Sequence, residues 1–283
     1  MQVSDIVLPM PAQSDNDIKT FVKSQLSGTP ILTGSSLKGA IRSILFSSFR
    51  DDEKKTEDVF GKIKDGSDFM RFIRLSDADF ESTTLVNTKI FNLHKVDGEW
   101  EGGWKHAFQN GTDSRFMMTG FNTVYECLKP GQKSNCTISL ATKLFDNYNG
   151  EQPKLSKKQD LFSEEEYDPI ENLFYAINSH TYDYINKEIK FFKHYRQAER
   201  TGEIIDSLVR LSNQTNDLIE ENQSCILKMS AGAGFHSITG DWQFDDFVVT
   251  GQWDNGKLKY KSRTVAVEND CMSLMGFVKL TCL

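Results

Sequence analysis

The chain has 283 residues, of which 38% are hydrophobic, 11% aromatic and 26% charged, enough for one large domain or two small ones with a real core. A net charge of −7 argues against a general polyanion binder but leaves room for one local positive groove. No apolar run approaches the roughly 18 residues of a membrane span, the start Met1-Gln2-Val3-Ser4-Asp5 lacks a signal-peptide pattern, and the reading is a soluble, cytoplasmic protein.

Residues 1–30 are weakly patterned: Pro9 and Pro11 spoil a strand at Val7-Leu8, and Asp15 to Leu26 reads as a short helix ended by Gly28 and Pro30. The clearest helix follows. Leu37, Ile41, Ile44, Leu45 and Phe49 recur at helical spacing, Ser35 or Ser36 suits the N-cap, and Lys38 and Arg42 share a face away from the apolar stripe. Val59-Phe60-Gly61 and a loop around Asp65-Gly66-Ser67 come next. From Phe69 to Leu144 the pattern is mostly strands: 72–75, 84–86, 89–93, 123–128 and 137–140. The last two are expected to pair across a turn at Lys129-Pro130-Gly131-Gln132, while 97–111, rich in glycine and tryptophan, reads as an excursion from the sheet. The polar stretch 146–160 marks the boundary between a domain over 1–150 and a second unit over 151–283. Residues 163–222 read as helical, 225–229 as a buried strand, and the end returns to strands, with a hairpin at Asp254-Asn255-Gly256.

Three features are candidates for chemistry. Gly34-Ser35-Ser36-Leu37-Lys38-Gly39-Ala40-Ile41-Arg42 places free backbone N–H groups and the positive dipole end beside two cations, a ready phosphate site; an ordinary capped helix with a solvated basic face is the competing reading. Gly39 costs roughly 1 kcal/mol inside a helix, which points to close approach of another backbone. Gly232-Ala233-Gly234-Phe235-His236 is a backbone-permissive turn in which Phe235 could stack on a base and His236 could act as an acid or base; a plain glycine turn is the favoured reading. Asp77 and Asp79, two apart, would share a strand face and could bind a metal, or simply sit on a solvated edge. The five cysteines and five histidines are scattered, with no CxxC or HExxH spacing, so neither a disulfide framework nor a zinc site is indicated.

Taken in order, these segments resemble the RAMP proteins of type III CRISPR effectors. The Gly34–Arg42 stretch is similar to that family's Gly-Ser-Ser-x-Lys-Gly-x-x-Arg helix start. Val59-Phe60-Gly61 matches its Phe-Gly, Leu75-Ser76-Asp77-Ala78 its next strand, Lys129-Pro130-Gly131 its Pro-Gly turn, and Gly232-Ala233-Gly234-Phe235 its glycine-rich loop. Ser262-Arg263-Thr264 and Leu274-Met275-Gly276-Phe277-Val278-Lys279-Leu280 resemble the ending of one branch, the fifth Csm subunits of type III-A complexes. Members of that branch open on a strand and a His-x-Gly-x-Gly step ahead of the Gly-Ser-Ser motif. No such step precedes Gly34 here, so a shortened start or a strand from another segment is expected.

The resemblance implies an α+β fold: a ferredoxin-like (RRM-like) core in two tandem units with a helical insertion. It implies a subunit that caps the backbone filament at the 3′ end of the CRISPR RNA, using Gly34, Ser35, Ser36, Lys38, Arg42, Gly232, Gly234, Phe235 and His236 to hold RNA. Its partners would be CRISPR RNA, other Csm-type subunits and, indirectly, target RNA, with no membrane, metal or cofactor and no catalytic residue. The alternatives are a backbone subunit that cuts target RNA with Asp77 or Asp79, a CRISPR-RNA processing ribonuclease using His236, and a subunit that touches only protein.

Overall fold

The computed structural model describes residues 18–50, 56–97, 99–105, 115–118, 122–142, 161, 168–229, 253–254, 257–258, 262–268 and 271–283. The expected boundary at 146–160, the glycine-rich stretch 230–236 and the strand pattern at 247–249 lie outside them. Among the described residues no helix is long and apolar enough to cross a membrane.

The chain begins with two short strands, β1 (Ile18–Lys19) and β2 (Ile31–Leu32), and enters helix α1 (Gly34–Phe49). A one-turn helix α2 (Thr56–Phe60) and a 3₁₀ turn over Phe69–Phe72 lead to β3 (Ile73–Leu75) and β4 (Ala78–Asp79). Four strands follow: β5 (Thr83–Val96), β6 (Glu99–Trp104), β7 (Asn122–Leu128) and β8 (Ile138–Leu140). Two long helices, α3 (Pro169–His194) and α4 (Thr201–Glu221), precede β9 (Ser224–Lys228). The end is all strand: β10 (Trp253–Asp254), β11 (Lys257–Leu258), β12 (Ser262–Val267), β13 (Met272–Leu274) and β14 (Phe277–Thr281). This is the mixed α and β architecture expected of a ferredoxin-like RAMP core.

The main sheet is organised by β5, whose 14 residues serve several neighbours. β12 pairs with Asn87 to Asn92 of β5, while β7 pairs with Thr83 to Lys89 and β6 with Phe91 to Val96. Because β12 overlaps both of the others, β7 and β6 must share the opposite edge. All three pairings are antiparallel; β13 extends β12, and β1 adds to β7 in parallel. The pleat puts Phe91 and Leu93 of β5 on one face with Val265 and Trp104, and these side chains are fully buried.

Helix α3 explains why the molecule has two cores and yet one spine. At 26 residues it is about 39 Å long. Leu173, Phe174 and Ile177 near its start pack with Leu37, Ile41, Ile44 and Leu45 of α1 and with Phe60, Phe69, Phe72, Cys225 and Leu227. Its later residues Tyr184, Ile185, Ile189, Phe191 and Phe192 pack with Phe91, Leu93, Trp104, Val265, Met272 and with Ile204 and Leu208 of α4. Each cluster draws side chains from both sides of residue 150. A seal of aromatic rings fixes the second core: the Phe91 centroid lies 5.3 Å from Trp104, 5.9 Å from Phe191 and 5.1 Å from Phe192.

Several expectations need correction. Residues 18–19 are a strand rather than part of a helix, because Glu126 on β7 captures the segment: its carboxylate accepts from the Phe21 N–H (3.0 Å) and pairs with Lys23 (2.7 Å). The 97–111 excursion contains β6, reached through Asp97 at φ 49. Gly102 is needed there, since a Cβ would collide with the Tyr195 side chain. The Pro-Gly turn forms, with Gly131 at φ 81, but its flanking strands do not pair. β7 joins β5, and β8 joins β3.

Two predictions follow from this packing. Asn178 is fully buried on α3; its amide donates to the carbonyls of Leu218 (3.0 Å) and Ser224 (2.9 Å) and accepts from the Ile226 N–H (3.0 Å). Asn178→Ala orphans three buried backbone groups and should cost about 3 kcal/mol or more in urea unfolding. Glu126 behaves differently. Burial alone would raise its pKa, but hydrogen bonds from Lys23, Thr83 and Phe21 together hold it below the ordinary carboxylate value. Its stabilisation is therefore complete above the unfolded pKa of about 4.3 and lost as pH falls through the lower folded value. The wild-type acid-unfolding limb should be steeper than that of Glu126→Gln when both are followed by circular dichroism.

Candidate nucleic-acid interface

The start of α1 is built by three short elements. β2 pairs antiparallel with β4, with Ile31 opposite Asp79 and Leu32 opposite Ala78, which lays Leu75–Asp77 against the helix start. The contact is backbone to backbone. A Cβ at Gly34 would collide with the Leu75 carbonyl and lie 2.8 Å from that of Ser76, so only glycine fits.

The N-cap is Thr33, not Ser35 or Ser36: its side chain accepts from the Ser36 N–H. The Thr33 hydroxyl donates to Ser36 Oγ (2.8 Å) and accepts from Ser35 Oγ (3.2 Å), giving a cluster of three hydroxyls. Ser35 and Ser36 are exposed. The first helical N–H is not open to a phosphate, because Gly34 N–H donates to Asp77 Oδ1 at 2.7 Å. Asp77 thus supplies the anion that the helix dipole favours. Asp79 takes a separate partner, accepting from the Thr29 hydroxyl at 3.4 Å. Among the described residues no group of three or more His, Cys, Asp or Glu side chains is arranged to hold a metal ion.

The two predicted cations do not share one fate. Arg42 turns inward to Asp68, donating Nη1 to Oδ1 at 2.9 Å and placing Nη2 2.8 Å from Oδ2. Its guanidinium carbon also lies 4.5 Å from the centre of the Phe60 ring. Gly61, at φ 87, makes the turn that closes this corner, with Ser67 packed where a Cβ would stand. Asp68 itself is buried and caps the 3₁₀ turn by accepting from Met70 N–H. The expectation that Arg42 lies on a free basic face is therefore corrected.

Lys38 remains at the half-buried rim. Burial lowers its pKa, Asp68 opposes that shift, and the nearby Arg42 and Arg74 reinforce it. Arg74 on β3 is exposed, with Ile73 buried beside it. Lys38 thus feels two further cations, Arg42 and Arg74, and one carboxylate, Asp68, which is already paired with Arg42. Gly39 follows Lys38 on the exposed helix surface, and a Cβ there would meet nothing within 4 Å. Among the described residues no other backbone approaches Gly39, contrary to one reading of its cost.

Sequence reasoning missed Arg74, Asp68 and Thr33. Arg74 was detectable as a lone cation in the apolar run Phe72-Ile73-Arg74-Leu75, where alternation must turn it outward. Asp68 carried an N-cap signal ahead of Phe69-Met70. Gly232, Gly234, Phe235 and His236 lie outside the described residues.

The profile of the RAMP superfamily matches residues 20–217. The chain belongs to the RAMP superfamily. Its fold resembles a chain of the cryo-EM structure of a Csm–crRNA–target RNA ternary complex of a type III-A CRISPR-Cas system. The TM-score is 0.54 at 14% identity, covering 95% of this chain and 76% of that one. The crystal structure of T. onnurineus Csm5 is similar with a TM-score of 0.46 at 16% identity, covering 93% of this chain and 74% of that one. No curated protein matches the sequence.

The geometry separates a structural cation from an available one. Arg42→Ala should strand the buried Asp68 carboxylate and cost about 2 kcal/mol, discounted for the partial exposure of the arginine. Lys38→Ala should change stability by no more than about 0.5 kcal/mol. Urea denaturation of the two variants beside wild type checks both values.

Proposed function

We propose that this RAMP protein is a CRISPR-RNA-binding subunit of a type III-A (Csm) effector complex. It holds the RNA backbone against the start of α1 and acts without catalysis, capping the filament at the 3′ end of the guide. One observation carries the reading: at Lys38 the like charges of Arg42 and Arg74 meet a single carboxylate, Asp68, which is already paired with Arg42, on a helix that also exposes Ser35, Ser36 and Gly39. In a chain of net charge −7 such a local excess of cations marks a place for a polyanion. Arg42 sets the corner from its bidentate pair, and Lys38 and Arg74 reach the phosphates with Ser35 and Ser36. Contacts of this kind fix the register of an RNA strand and carry little sequence information. Gly232, Gly234, Phe235 and His236 belong to the same proposal through the sequence resemblance.

The experiment is a salt titration of single-stranded RNA binding. The Lys38→Ala/Arg74→Ala double variant should lose two phosphate contacts. Its slope of log affinity against log salt should flatten by about 0.7 per contact, with an unchanged urea midpoint. In the assembled complex the variant should lose the longest guides while shorter assemblies persist. A slope and guide-length distribution equal to wild type would move the RNA path away from α1.

A further inference from the structure

A buried charged chain connects the two cores and has no part in the RNA site. Lys228, at the end of β9, is 5% exposed, and its ammonium donates to the Tyr184 hydroxyl at 3.0 Å. That hydroxyl is 3.0 Å from Glu188 Oε1, and Arg263 Nε on β12 donates to Glu188 Oε2 at 3.2 Å. Glu188 is 1% and Arg263 4% exposed. The Arg263 guanidinium lies flat on Phe191, 3.5 Å from the ring centre, and Lys228 sits 5.1 Å from the Tyr184 ring and 5.3 Å from that of Phe277. The chain thus runs from the β9–β14 ribbon, through α3, to the main sheet. A cavity of about 10 Å³, room for one water, adjoins Lys228 and is lined also by Ile44, His180, Thr181 and Tyr184. Ile44 belongs to α1, so the helix that carries the basic corner rests on the same spot.

We propose that Lys228–Tyr184–Glu188–Arg263 is a proton-linked latch between the β9–β14 ribbon and the main sheet: Glu188 faces cations from both, the buried ammonium of Lys228 strains the junction, and the junction tightens when Lys228 gives up its proton. The groups facing Lys228 decide the direction. Glu188 favours its charge and Arg263 opposes it, while Tyr184 and His180 of α3, Phe277 of β14 and Ile44 of α1 bring no carboxylate. Burial is the largest influence and lowers the Lys228 pKa to about 8 from 10.5, with Glu188 partly resisting. Between those values the unfolded chain holds the extra proton, so raising pH stabilises the fold. The gain is absent below pH 8 and complete above the unfolded value. A lysine that burdens the fold at neutral pH yet takes a built position is the mark of a switch rather than a rivet.

The test is urea unfolding of the full chain from pH 7 to 10, comparing wild type, Lys228→Met, Glu188→Gln and the double variant. Lys228→Met leaves the Tyr184–Glu188–Arg263 contacts in place and should be at least as stable as wild type at pH 7. Above pH 8 the folded-to-unfolded ratio of wild type should climb relative to Lys228→Met, approaching about tenfold per pH unit. Glu188→Gln abandons two buried cations and should lose about a hundredfold in that ratio, or fail to fold. Adding Lys228→Met to Glu188→Gln should recover part of the loss. Parallel pH profiles for wild type and Lys228→Met would overturn the latch, as would a double variant no better than Glu188→Gln.

Discussion

One buried amide holds the architecture together. Asn178 sits where α3, the end of α4 and the start of β9 meet, and its side chain satisfies backbone groups of the other two elements. Helix ends leave carbonyls without partners, and a buried strand edge does the same. Asn178 answers both needs at a point water does not reach. It ties α3 to the end of α4 and to β9, and Asn222, at φ 56, ends α4 in the left-handed conformation so that the chain turns into β9. Once α4 is placed, the main sheet has a surface to lie on. β9 then delivers Cys225 and Leu227 to the first core.

Much of this was legible in the residues, and the limits have physical causes. Helices are local, so the stripe from Leu37 to Phe49 and the returns along α3 and α4 are enough to place them. The connection between α3 and α4 is less visible. It hinges on Arg200 at φ 60, held by its own bidentate contact with Glu203, and arginine carries no turn signal. Strands were found, and the hairpin expected at Asp254-Asn255-Gly256 pairs β10 with β11, but the partners of the longer strands were not. Lys129-Pro130-Gly131 is a sound turn sequence, and a turn of that kind normally returns a hairpin. Here β8 completes a ribbon with β3, because Ile138 and Leu140 pack on the first core while β7 belongs to the sheet over the second. Local chemistry specifies the turn; the allocation of strands between two cores is a long-range property.

The candidate site shows the same division at smaller scale. Spacing alone identifies a basic helix start, and a helix N-terminus attracts anions. What spacing cannot supply is the occupant. The β2–β4 pairing brings Asp77 to Gly34 N–H, so the chain has placed its own carboxylate where a phosphate was expected. Likewise Lys38 and Arg42 are equivalent by helical geometry, and the loop that raises Asp68 makes them unequal. The Gly34 contact with Leu75 and Ser76 and the Gly61 turn against Ser67 give those glycines packing reasons, whereas Gly39 has none among the described residues.

These charges are what the proposed polyanion site of an acidic protein rests on. A cation free in solvent loses little when a phosphate arrives and gains little, because water already screens it. Lys38 is different: partial burial has removed some of its hydration, and its neighbours Arg42 and Arg74 press on it with like charge. Asp68 cannot fully relieve that pressure, since both of its oxygens are committed to Arg42. A phosphate placed against Lys38 and Arg74 would offset a cost already incurred in folding, so its approach gains more than it would at an isolated lysine.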